Sequence, residues 1–245
     1  MYKKIALLAT TTLLGFVAIP IQAVVITGST VNLTSGDVGK SFDLNWAQQA
    51  SGKTPALSAS STWIMDSFDT STNTATFSIT LDNTTDLATS GLSNAGITTF
   101  GFQADNLDFA DSSITGDVFN NIGNVNGNFP GGFSVNTCVS TAGCKGGAQG
   151  SALAAGDSTS MNLSLAFGGG GIENGITLST FPIKFQTSAG SYEFAASVST
   201  PNNGNPTNPS VPEPSILWLF GAGLFALGWV NRRHNFCSHS QTCFV

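Results

Sequence analysis

Apolar residues alternate with hydroxyl and amide residues at a period of two in recurring runs along this chain, and a longer apolar run lies near each end, the first interrupted by Thr10, Thr11 and Thr12. Ala75, Phe77, Ile79 and Leu81 alternate with Thr76, Ser78 and Thr80. Met161, Leu163, Leu165 and Phe167 form a second run, Phe181, Ile183 and Phe185 a third, and Tyr192, Phe194, Ala196 and Val198 a fourth. Successive side chains of a strand point to opposite faces, so each run predicts a half-buried antiparallel strand with a polar outer face. Further strands are expected over 24–34, 41–46, 62–68 and 97–102.

Turn residues separate these runs: Asp82-Asn83, Asn126-Gly127, Asn174-Gly175 and the glycines at 168–171. Ser188-Ala189-Gly190 predicts a hairpin between the last two runs. Pro182 cannot donate to a ladder, which places its strand at an edge or on a bulge. No span of the body carries a helical stripe, although 117–122 has room for one helical turn. The Gly- and Asn-rich stretch 120–150 reads as a long loop. Many short strands with frequent turns predict an all-β fold, an antiparallel β-sandwich over 24–200. The Pro/Asn-rich segment 201–210 reads as a linker, since it lacks apolar residues to bury.

The two apolar runs read differently. Lys3 and Lys4 precede a run over 5–19, and Ile21-Gln22-Ala23 ends in a small residue, so 1–23 reads as a signal peptide cut by signal peptidase after Ala23. An anchor helix is the competing reading, disfavoured by the short run and the cleavage site after it. The second run, 216–230, would span about 22 Å as a helix, short of a ~30 Å hydrocarbon core. Arg232 and Arg233 can snorkel across part of that difference, and they hold their end in the cytoplasm. Trp218 and Trp229 lie near the two ends, where indoles favour headgroups. The expectation is one C-terminal transmembrane helix followed by a cytoplasmic tail, 234–245.

Val211-Pro212-Glu213-Pro214, the apolar run and Arg232-Arg233 together resemble the PEP-CTERM sorting domain of Gram-negative bacteria. The resemblance covers 211–233 and implies recognition by exosortase, a membrane protease or transpeptidase. Pro212, Glu213 and Pro214 would then be the recognition residues, and Arg232 and Arg233 the retention signal. It also implies an intermediate anchored in the inner membrane, cleavage near the motif, and delivery to the cell surface or an exopolysaccharide matrix. The tail departs from this family, which usually ends soon after its basic residues. His234, Cys237, His239 and Cys243 are possible zinc ligands there, but their spacing matches no zinc-binding pattern, so no metal site is assigned.

Composition narrows the partners. Charged residues make up 9% of the chain, against roughly 25% in ordinary soluble proteins. Between 24 and 210 the only basic residues are Lys40, Lys53, Lys145 and Lys184, opposed by thirteen carboxylates, a net of −9. Such a surface repels nucleic acid. Of the four cysteines, Cys138 and Cys144 lie in the exported body, whereas Cys237 and Cys243 lie beyond the apolar run. Export to an oxidising compartment predicts a structural Cys138–Cys144 disulfide. A redox pair is the alternative, disfavoured because no Cys-x-x-Cys or nearby base is present.

Catalytic constellations are sparse. Both histidines, His234 and His239, lie in the tail, so the body has no Ser-His-Asp or Cys-His pair. Asp66 with Asp69, or Asp82 with Asp86, could formally serve a glycosidase, though solvated loop carboxylates are the simpler reading. Asp105, Asp108, Asp111 and Asp117 offer oxygen ligands for Ca²⁺ without the spacing of an EF-hand. Trp46 and Trp63 could stack on sugars, but packing in the core or across strands is the simpler reading. The expectation is a non-catalytic surface or matrix protein without a cofactor. The alternative is a carbohydrate-binding module or weak glycosidase acting on exopolysaccharide.

Overall fold

The alternating runs are strands. A computed structural model describes residues 24–145 and 149–201. The signal peptide 1–23, the linker beyond Pro201, the sorting segment with its apolar run 216–230, and the tail lie outside the described residues. In chain order the strands are β1 (Val25–Thr27), β2 (Thr30–Leu33), β3 (Ser41–Gln48), β4 (Leu57–Asp69) and β5 (Thr74–Asp82). A single helical turn, α1 (Leu87–Ser90), precedes β6 (Ala95–Ala104), β7 (Leu107–Gly116), β8 (Asn121–Asn124) and β9 (Thr137–Ser140). Then come β10 (Leu153–Ala154), β11 (Ser158–Phe167), β12 (Ile176–Ser179), β13 (Pro182–Thr187), β14 (Gly190–Ala195) and β15 (Ser197–Ser199).

They form two antiparallel sheets. One runs β15-β3-β4-β5-β11-β7, and the other gathers the remaining nine strands around β6. On β5, Ala75, Phe77, Ile79 and Leu81 are buried, while Thr80 on the opposite face is exposed. One core lies between the two inner faces. Trp63 of β4 is fully buried, with Phe42 stacked on it at 5.5 Å between centroids. Phe77, Phe100, Phe102 and Phe181 meet it edge-on at 5.7–6.2 Å. Phe100, Phe102 and Phe181 come from the β6/β13 side, so this ring cluster ties one sheet to the other. Each such ring pair adds about 0.5–1.5 kcal/mol beyond its burial.

Bulges reset the alternation where the sequence pattern breaks. On β6, Phe185 pairs with Ile97 and Lys184 with Thr99, which leaves Thr98 as an extra residue. Ala95 and Ile97 therefore face the core before the bulge, and Phe100, Phe102 and Ala104 after it. A similar slip between Met65 and Ser67 brings Phe68 to the inner face after Trp63 and Met65. Pro182 sits at the first residue of β13, which pairs on both sides and is no edge. The bulge expected at the proline lies two residues on, opposite Lys184.

Several expectations are corrected. The strand expected over 24–34 is a hairpin, β1 and β2, turning at Gly28, whose φ of 62° suits glycine. The fourth alternating run is two strands: β14 pairs with β13, then the chain crosses at Ala196 and β15 pairs with β3 in the other sheet. No helical turn forms over 117–122; its end enters β8. The acidic stretch at 105–117 is mostly β7, an edge strand. Most of all, 120–150 is not a long loop. Its β9 pairs with both β6 and β8, and all four residues of β9 are buried. This segment is the lid that keeps β6 and β13 buried on both faces. Gly101 makes room for it, since a Cβ there would come within 2.9 Å of the Phe129 ring; Gly96 makes room for the chain just beyond it, where a Cβ would come within 2.5 Å of Ala152 Cβ.

Candidate functional site

The aromatic candidates are part of the interior. Trp46 is 1% exposed and its indole N–H donates to the Phe181 carbonyl at 2.8 Å. Trp63 is 0% exposed and donates to Ser61 Oγ at 3.0 Å. Neither ring presents a face to a ligand. A half-buried strand pattern puts large apolar residues inward, and the two indole N–H groups find partners there.

The carboxylate pairs are spent on local structure. Asp66 accepts from Ser78 Oγ at 2.7 Å. Asp69 accepts from the Ser71 hydroxyl and backbone N–H at 2.6 and 2.8 Å. Those bonds, with Thr72 behind them, hold its carboxyl below the ordinary value. Asp86 caps α1, taking the Thr89 hydroxyl and the Ala88 N–H, and is held low by them in that order. A glycosidase acid needs the opposite shift, towards a raised value. Asp82 closes β5. Along the acidic stretch, Asp108 accepts from the Ala110 N–H at 3.0 Å. Among the described residues no three of His, Cys, Asp or Glu come together as a metal site.

Cys138 and Cys144 are joined in a disulfide, with Cα atoms 5.7 Å apart. Cys138 sits on β9 between Gly101 of β6 and Gly123 of β8. A Cβ on Gly123 would stand 2.9 Å from Cys144 Sγ. Glycine on that neighbouring strand thus leaves the groove that the bridge occupies. Cys138 packs there with Phe129 and Val135 in a second small core.

Three polar devices carry weight that sequence reading missed. Asn83, expected in a turn, is 1% exposed. Its Nδ2 donates to the carbonyls of Ala95 at 3.1 Å and Leu153 at 2.9 Å, and its Oδ1 accepts from the Thr85 N–H at 3.3 Å. One amide thereby joins the end of β5 to β6 and β10 of the other sheet. Lys184 and Glu193, paired across β13 and β14, form an ion pair at 3.1 Å under the Pro130–Gly132 turn of the lid. The hairpin turns on Ser188-Ala189 alone, with Thr187 opposite Gly190; the three-residue turn expected at 188–190 would have set Lys184 opposite Phe194, so this pair was not legible. Asp37 bonds Lys40 at 2.9 Å and Thr34 at 2.8 Å in a capping box, whose Thr-x-x-Asp spacing was the available signal. Burial pushes the Asp37 carboxyl up, but the bonds from Lys40 and Thr34 outweigh it and leave it below the ordinary value.

Among the described residues no helix is long and apolar enough to cross a membrane. The chemistry that sorts the protein is carried by the C-terminal segment, outside them. No curated protein matches this chain as a relative. The model of the PEP-CTERM protein-sorting motif matches residues 210–233, a span that includes Pro212, Glu213, Pro214, Arg232 and Arg233, and the chain therefore carries a PEP-CTERM sorting domain.

Proposed function

We propose that this chain is a non-catalytic surface or matrix protein that reaches its place through an anchored, processed intermediate. The observation that carries the reading is the sorting motif at 210–233, which implies an exported exosortase substrate processed at the membrane. The finer steps follow from the sequence. Signal peptidase removes 1–23, the apolar run 216–230 holds the protein in the inner membrane, and exosortase cuts near Pro212, Glu213 and Pro214. The β-body is then left at the surface, with exopolysaccharide as the surrounding matrix. Its low charge and hydroxyl-rich strand faces support a passive role, as does the absence of histidine between 24 and 210. Burial of Trp46 and Trp63 removes the support that the sugar-binding alternative drew from them.

Deleting Pro212–Pro214 tests the reading. Cell fractionation with mass spectrometry of the mature C-terminus should find the parent chain cut near the motif and the deleted chain retained in the inner membrane. Unchanged release of the deleted chain would refute processing at this motif.

A further inference from the structure

The two ends of the body meet their processing enzymes in different ways. Val24, the residue after the expected signal-peptide cut, is 4% exposed and belongs to the main core. The next three residues are β1, hydrogen-bonded to β2 with Val25 opposite Asn32 and Thr27 opposite Thr30. Ile26 packs against the same core. No spacer therefore separates Ala23 from folded structure. At the other end the last paired residue is Ser199, opposite Asp43. Residues 200–210 then intervene before Val211, a span of about 35–40 Å if extended.

A peptidase must draw several residues on each side of the scissile bond into its cleft as extended chain, and folded proteins are cut where backbone is exposed and locally open. Resting on the export reading above, we infer that efficient signal-peptide removal precedes docking of β1, whereas the C-terminal cut can act on the closed domain. The order is cut at Ala23, close the sheets, then cut at the sorting motif. Hydrolysis at the first step breaks the Ala23–Val24 amide with one water, leaving a carboxylate on Ala23 and an ammonium on Val24. Once β1 has docked with the signal peptide still attached, that bond is withdrawn. The precursor, held in the membrane from both termini, is then cut only through the open form. Undocking Val24 alone uncovers a side chain whose burial is worth about tenfold or more in population, and cleavage through the open form slows by that factor.

The test uses the full chain in cells whose signal peptidase is held inactive and then restored. Two forms are compared: the parent, and a variant with a short Gly/Ser spacer between Ala23 and Val24. During the block, resistance of the body to added protease reports closure. On restoring the enzyme, protease-resistant parent precursor should be cut about tenfold or more slowly than resistant spacer precursor. A parent that stays protease-sensitive until it is cut supports the same order. Equal cleavage rates for the two resistant precursors would overturn the inference. So would a mature N-terminus several residues upstream of Val24 in the intact mass. The C-terminal mass in the same spectrum reports exosortase processing separately, so failure of that reading is seen on its own.

Discussion

Replacing Asn83 by alanine should unfasten the two sheets at one point. The side chain is buried and makes three hydrogen bonds, two as donor to the carbonyls of Ala95 and Leu153 and one as acceptor from the Thr85 N–H. Truncation leaves two carbonyls and one N–H without this partner, and an unsatisfied buried group costs about 1–3 kcal/mol. A carbonyl has a second lone pair, and a water can enter the space, so the sum is reduced to about 2–4 kcal/mol. For a body of this size each kcal/mol lowers the midpoint by about 2–4 °C, giving a fall of about 5–15 °C. Thermal and urea denaturation followed by circular dichroism would measure it. Asn83→Asp sharpens the test. It keeps the acceptor for Thr85, loses both donors and sets a carboxylate against two carbonyls, so it should be worse than alanine at neutral pH. Acidification should restore part of the loss, because a protonated carboxyl can donate once. Asn162→Ala, on the exposed face, serves as the control and should stay within about 0.5 kcal/mol of the parent. If Asn83→Ala also stays within that range, the reasoning fails, because the clasp would contribute nothing that solvent does not replace.

Cys144→Ser should cost about 2 kcal/mol by the chain-entropy estimate for so short a loop, and reductant should bring the parent's urea midpoint to that of the variant while leaving the variant unmoved. The Thr98 and Thr99 hydroxyls are buried without a hydrogen-bond partner in the structure, so valine at either position should be neutral or stabilising; a loss above about 1 kcal/mol would show that the hydroxyl is bonded in solution. Asp37 has a folded value below its unfolded value of about 3.9, so its contribution is complete above that pH and is lost as the pH falls through the folded value. Asp37→Asn should therefore flatten the acid limb of a stability–pH curve below about pH 4, and an unchanged limb would count against the capping box.

The strands that could be read in advance were those with one wet face. On β5 and β11 the apolar residues recur every second position because one side meets the core and the other meets water. The interior roles of Trp46 and Trp63 were also the simpler expectation. β6 and β13 were harder. On β6 the alternation fades; on β13 Phe181, Ile183 and Phe185 do alternate and the strand was read, but the lid covers its other face, so Lys184 is buried beside Ile183 and Phe185. The lid itself was misread, since its glycines and asparagines have the composition of a loop. Of these, Gly123 leaves space for the disulfide, and Gly101 on β6 leaves space for the lid's Phe129 ring. Asn83 looked like a turn residue for a similar reason: an amide that satisfies three backbone groups has the same local chemistry whether it is exposed or buried.

Sorting information is linear, a short motif, an apolar run and an arginine pair read in order by membrane enzymes, so the chain's own letters were enough to reveal it. The half-buried strands were equally local, because a period of two depends only on neighbouring residues. Which strands share a sheet, where the bulge at Thr98 shifts the inward face, and which carbonyls Asn83 clasps depend on residues from 12 to 152 positions away. Contacts at that separation exist only once the sheets have closed, and the folded chain alone decided them.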